Sequence, residues 1–170
     1  MRFYSGFSLR GESELFADYL RPGRYTAAGF SKGAIEALRF AYESDERVDL
    51  LQLISPAFFV GKSSAFKRAQ LHYFRKDPKG YIERFLGNVA YPGSTDLHRY
   101  LEPEGIEALQ MLLAFDWPRE WLERVVSRGT RIELYLGMRD KIIDPVAARA
   151  YFLPYATVYT IKEGGHILDG

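Results

Sequence analysis

The stretch Gly29-Phe30-Ser31-Lys32-Gly33 constrains this chain more than any other. Tyr25-Thr26-Ala27-Ala28 before it is a short apolar run that reads as a buried strand. Ala34 to Tyr42 after it carries Ile35, Leu38 and Tyr42 at helical spacing, with Glu36 and Arg39 pointing elsewhere. Gly-x-Ser-x-Gly between a strand and a helix is the pattern of a nucleophile elbow. The turn holds its serine in a strained backbone conformation, so the residues two positions either side must be nearly free of side chain. It also sets Ser31 at a helix N-terminus, where free N–H groups and the helix dipole favour developing negative charge. The competing reading is a glycine-bracketed turn around an idle serine, and the rest of the chain decides between them.

The remaining pattern alternates. Arg2-Phe3-Tyr4 reads as a strand ending at Ser5-Gly6-Phe7-Ser8. A helix is predicted from about Glu12 to Leu20, with Leu15, Phe16 and Tyr19 on one face and Pro22-Gly23 closing it. Val48 to Ile54 is an apolar run of parallel-strand type that stops at Ser55-Pro56. From about Ala57 to Asp116 the strand pattern disappears. Helical stripes run over Phe66, Ala69, Tyr73 and Phe74, over Tyr81, Ile82, Phe85, Leu86 and Val89, and over Ile106, Leu109, Leu112 and Leu113. Such an insertion after the third strand reads as a lid over a site, the alternative being ordinary helices on the sheet face, which periodicity alone does not exclude. Asp116-Trp117-Pro118 opens a further helix, closed by Gly129. Ile132 to Leu136 is a fourth strand, Ala147 to Phe152 a helix and Ala156 to Ile161 a fifth strand. Parallel strands joined by helices open their carboxyl ends on one edge, where ligands bind in such folds. The expectation is one α/β domain over residues 1–170, with 57–116 as its helical lid.

Composition narrows the classes. At 47% hydrophobic residues the chain can bury a core, and without cysteine it has neither disulfides nor thiolate metal ligands. A net charge of +1 argues against bulk nucleic-acid binding. Met1-Arg2-Phe3-Tyr4-Ser5-Gly6 turns polar too soon for a signal peptide, and no apolar run spans a bilayer, so a cytoplasmic protein with no membrane association is expected. The charge is unevenly placed. Lys62, Lys67, Arg68, Arg75, Lys76, Lys79 and Arg84 face only Asp77 and Glu83 between Gly61 and Arg84, so the remainder is net acidic.

Three residues at the carboxyl ends of strands form the candidate catalytic set. Ser31 lies in the elbow, an aspartate follows the fourth strand and His166 follows the fifth. His166 would accept the serine proton while a carboxylate holds its other ring nitrogen. Asp140 and Asp144 compete for that place. Asp144 precedes Pro145 and reads as a helix N-cap, which favours Asp140 in the open loop. His72 and His98 lie away from strand ends, with no ligand cluster near them in sequence, so no metal is expected. For an oxyanion, the backbone N–H groups of Lys32 and of Phe7, after the first strand, are the candidate donors.

At these residues the chain resembles the α/β-hydrolases, which use the order Ser, Asp, His. It is more closely similar to the pimeloyl-[acyl-carrier protein] methyl ester esterases of the BioV type. The resemblance runs through Arg2-Phe3-Tyr4-Ser5-Gly6-Phe7, Ala28-Gly29-Phe30-Ser31-Lys32-Gly33-Ala34, Ser55-Pro56, Ala65-Phe66-Lys67-Arg68, Lys76-Asp77-Pro78 and Gly137-Met138-Arg139-Asp140. It implies a small α/β-hydrolase fold of about five mostly parallel strands in sequential order, with flanking helices and the lid after the third strand. It implies removal of the methyl ester from a pimeloyl chain carried on acyl-carrier protein, for biotin synthesis, with no cofactor. An acidic carrier would then dock on Lys62, Lys67, Arg68, Arg75 and Lys76, although such charges equally suit a solvated helix face. Lys32 is unusual after the nucleophile, and its charge would favour anionic substrates. A thioesterase or other small-ester hydrolase could use the same triad, and a non-catalytic carrier-binding protein could keep the scaffold.

Overall fold

The computed structural model describes residues 1–170. Five strands, β1 (Arg2–Tyr4), β2 (Thr26–Phe30), β3 (Leu50–Ile54), β4 (Arg131–Gly137) and β5 (Ala156–Ile161), form one sheet in the order β1-β2-β3-β4-β5. Every neighbouring pair is parallel. β2 and β3 are buried at every position, as strands covered on both faces must be. The expected parallel sheet in simple sequential order is therefore the observed one.

Helix α1 (Lys32–Glu43) packs on β1, β2 and β3 through Ala34, Ile35, Leu38 and Ala41. Between β3 and β4 come α2 (Ser64–Lys76), α3 (Pro78–Ala90), α4 (Ile106–Ala114) and α5 (Arg119–Ser127). The caps follow from sequence. The Ser63 side chain accepts the Phe66 N–H to start α2, and Asp77 accepts the Gly80 N–H to start α3 at Pro78. Helix α6 (Pro145–Phe152) lies on β4 and β5. No helix is long and apolar enough to cross a membrane.

One expected helix is shorter than its pattern. Residues Glu12–Phe16 form a 3₁₀ helix, and in place of a regular helix to Leu20 the chain closes in a turn whose Tyr19 and Leu20 amides both donate to the Phe16 carbonyl, at 2.9 and 2.8 Å. Gln52 of β3 ties the end of this segment to the sheet: it accepts the Arg21 N–H at 2.8 Å and donates at 3.0 Å to the Tyr19 carbonyl, a group that a helix end leaves without an internal partner. Gln52 also donates to Glu133 and Tyr135, and all three are buried. Burial, seconded by the Glu133 hydrogen bond, pushes the Tyr135 hydroxyl up to about 12. Arg21, at 3.3 Å, supplies Glu133 with a countercharge.

Candidate active site

The elbow is built from close backbone approaches. Ser31 has φ +52° and ψ −114°, a left-handed conformation that costs a non-glycine residue energy. Its amide donates to the Ile54 carbonyl at 2.9 Å, and its own carbonyl accepts the Ala34 and Ala57 amides, both at 3.1 Å, which holds the strained residue in place. Both bracketing glycines have ordinary φ values, so proximity requires them. A Cβ on Gly29 would lie 2.1 Å from the Gly33 carbonyl oxygen, and one on Gly33 would lie 2.0 Å from the Tyr4 carbonyl oxygen. Only hydrogen fits where the elbow folds back on β1.

The loops after β4 and β5 are pressed together in the same way. A Cβ on Gly137 would lie 2.0 Å from the Gly165 carbonyl oxygen, and the Arg139 amide donates to the Gly164 carbonyl at 2.9 Å. This contact carries Asp140 to His166. One carboxylate oxygen of Asp140 accepts the Ile142 and Ile143 amides at 2.7 and 3.1 Å, and the other lies 2.6 Å from His166 Nδ1. His166 Nε2 is 2.9 Å from Ser31 Oγ. With a carboxylate on Nδ1, the imidazole carries its proton there and presents Nε2 as an acceptor to the serine hydroxyl. The pair is dry: the side chains of His166 and Asp140 are 0% and 1% exposed. Phe30 tilts against the imidazole, with ring centroids 5.0 Å apart. The competing aspartate, Asp144, faces solvent and accepts the Val146 and Ala147 amides at the start of α6. His72 is exposed on α2. His98 lies in a 3₁₀ turn (His98–Tyr100) between Asp96 and Glu83.

Gly6 stands beside the serine, since a Cβ on it would lie 3.5 Å from Ser31 Cβ and 2.8 Å from the Phe30 ring. The next amide, that of Phe7, donates to no group in the protein, while its ring is fully buried edge-on to Phe85. Lys32 is the first residue of α1, where an N–H has no intrahelical acceptor. The Lys32 ammonium does not stand free beside the site, as the sequence suggested it would. It is paired with Glu104 and three-quarters buried. Sequence reading missed Glu104 because 72 residues separate the partners and nothing local marks it.

Above Ser31 lies a cavity of about 250 Å³. Phe59, Phe66, Phe85, Leu109, Leu112 and Leu113 supply apolar walls, with Arg84 and Lys141 as cations. Helices α2, α3 and α4 thus form its roof and sides. Tyr81 donates to Gln70 at 3.0 Å there, and burial pushes its hydroxyl up to about 12 against the lowering pull of Arg84. The five basic residues singled out in sequence, Lys62, Lys67, Arg68, Arg75 and Lys76, lie on or just before α2, and none pairs with a carboxylate. Lys67 is half-buried and the other four are exposed. No three His, Asp or Glu side chains converge as a metal site would require.

Solved structures share this architecture. BioG from Haemophilus influenzae superposes with a TM-score of 0.60 over 98% of this chain and 87% of its own, at 12% identity. A thermophilic esterase from Thermogutta terrifontis gives 0.64 over 97% and 81%, at 15% identity. MenH from S. aureus gives 0.60 over 98% and 87%, at 14% identity. The fold is that of the α/β-hydrolases. In sequence, the pimeloyl-[acyl-carrier protein] methyl ester esterase of Nitrosomonas europaea is 33% identical over 125 residues, which cover 72% of this chain. The chain spans less than half of that relative, 44% of its length. No protein-family model matches the chain.

Proposed function

We propose that this chain is a serine carboxylesterase that removes the methyl ester from a pimeloyl chain held on acyl-carrier protein. One observation carries the reading: the hydrogen-bonded line Asp140–His166–Ser31 at the floor of an apolar cavity. The likeness to the Nitrosomonas europaea esterase supports the substrate.

In this reading His166 Nε2 takes the Ser31 proton as Oγ attacks the ester carbonyl, and Asp140 stabilises the imidazolium. The tetrahedral oxyanion lies against the Phe7 and Lys32 N–H groups, each contributing about 3 kcal/mol to its stabilisation. Methanol leaves with the proton from His166. Water, deprotonated by the same imidazole, then cleaves the acyl-enzyme to the carboxylate and frees Ser31. Residues 57–116 act as a lid, and their apolar lining holds the methylene chain at about 0.8 kcal/mol per buried CH₂. The substrate also contains a thioester where the chain joins its carrier. Docking of the acidic carrier on Lys62, Lys67, Arg68, Arg75 and Lys76 keeps that thioester outside and delivers the far ester to Ser31.

Mass spectrometry of methyl-pimeloyl-carrier incubated with wild type and with Ser31→Ala tests the proposal. Loss of one methylene mass from the carrier, with wild type only, is the expected result. Release of free carrier thiol would make the protein a thioesterase. An unchanged carrier with a serine that still reacts with a fluorophosphonate would overturn the substrate, and an unreactive serine would overturn the esterase.

A further inference from the structure

Glu104 belongs to the loop that leads into α4, outside the Asp140–His166–Ser31 line, yet it contacts Lys32 and Ser8, the first carrying one candidate oxyanion donor and the second following the other. One carboxylate oxygen pairs with the Lys32 ammonium, and the other accepts the Ser8 amide at 2.9 Å. The Glu104 amide returns a hydrogen bond to Ser8 Oγ at 3.1 Å. Around this reciprocal pair the loop after β1 is stitched to the insertion: the Glu102 amide donates to the Ser8 carbonyl at 3.0 Å and the Arg10 amide to the Tyr100 carbonyl at 2.8 Å. Leu9 and Leu101 add an isolated antiparallel bridge.

A second observation makes this more than a surface ion pair. Ser8 is fully buried with φ +57°, a strained conformation that persists only when its surroundings over-determine it. The groups that do so come largely from Glu102 and Glu104. The Phe7 N–H is one residue before Ser8, and the Lys32 N–H belongs to the residue whose side chain Glu104 grips. A single carboxylate therefore bridges the Lys32 side chain and the Ser8 amide, the first on the residue that carries one of the two N–H groups and the second next in the chain to the other.

We infer that Glu104 is a positioning residue that fixes the Phe7 and Lys32 N–H groups at the spacing a tetrahedral oxyanion needs. The inference rests on the esterase reading. Oxyanion donors gain their effect from being fixed before charge develops, so loosening one of them raises the barrier without weakening ground-state binding. Because Glu104 is contributed by the insertion, roof and oxyanion site are mechanically joined.

The test uses hydrolysis of p-nitrophenyl butyrate and inhibition by butylboronic acid, which forms a tetrahedral anion on the serine. Glu104→Ala is expected to lower kcat about tenfold with KM nearly unchanged, and to weaken boronate inhibition by the same factor. Glu104→Gln keeps an acceptor for the Ser8 amide and loses the ion pair, so its loss should be smaller. It carries the test alone if the alanine variant does not fold. Lys32→Gln combined with Glu104→Gln should lose no more kcat than the worse single variant. Wild-type kcat in the folded Glu104 variants, or a fall in melting temperature with kcat and boronate affinity retained, overturns the positioning role. A wild-type protein that neither hydrolyses the ester nor binds the boronate overturns the esterase reading instead.

Discussion

The elbow helix α1 and the roof helix α2 are nearly equal in length, yet they meet their surroundings in opposite ways. Of its twelve residues α1 buries six, whereas α2 buries only Phe74 of its thirteen. Around α1 the backbone approaches so closely that two glycines are obligatory. On α3, which packs beside α2, a Cβ on Gly87 would meet nothing within 4 Å. The first region fixes atoms for chemistry, and the second offers a charged outer face and an apolar inner one. A serine acylation site needs positions held within a fraction of an ångström, whereas a surface that receives a long substrate needs charge and access. In the proposed esterase, precision and recognition are thus assigned to separate parts of this chain, joined at Glu104.

The sharpest way to break this contrast is at the carboxylate. Asp140→Asn should lower kcat about 10⁴-fold by removing the acceptor that holds the imidazole tautomer. Asp144→Ala should leave kcat unchanged and cost about 1 kcal/mol of stability, read by urea unfolding, because Asp144 caps α6. Gly33→Ala comes next. It should cost about 3 kcal/mol or more, since its Cβ collides with the Tyr4 backbone. Gly87→Ala, in the open middle of α3, should stabilise by about 0.5–1 kcal/mol. Equal effects of the two alanines would erase the distinction between the regions.

Recognition should respond to charge alone. Arg68→Glu with Arg75→Glu is expected to raise KM for the carrier-linked ester about tenfold and to spare p-nitrophenyl butyrate. Equal losses on both substrates would remove the docking role. The smallest effect concerns His98, which ties α3 to the segment before α4. Glu83 first, and then Asp96, hold its pKa above the ordinary 6.5. A raised folded-state pKa contributes stability that is fully present below pH 6.5 and is lost as pH rises through the folded value. The melting temperature of wild type should therefore decline on going upward from about pH 6.5, a slope that His98→Gln should abolish.

Much of this was legible because it is local. The Gly-x-Ser-x-Gly spacing, the apolar runs and the cap at Asp144 each involve neighbouring residues, and each is found in the fold. The two aspartates could be ranked for the same reason: Asp144 has a helix to cap and Asp140 does not. The helix expected to reach Leu20 is a 3₁₀ helix and a turn, and its end is held by Gln52, more than thirty residues away. The Lys32 charge was misjudged because Glu104 neutralises it across the fold. Neither partner leaves a mark near the residue it changes.

The sequence by itself determined the alternation of strands and helices, the strained turn at Ser31 and the unbalanced charge on α2, because periodicity, steric demand and composition act over a few residues. Only the tertiary structure decided which carboxylate lies 2.6 Å from His166, which side chains wall the cavity and which acid holds Lys32. Those choices depend on loops from separate strands reaching one sheet edge, where backbone contacts at Gly137 and Gly165 set distances that no sequence spacing encodes.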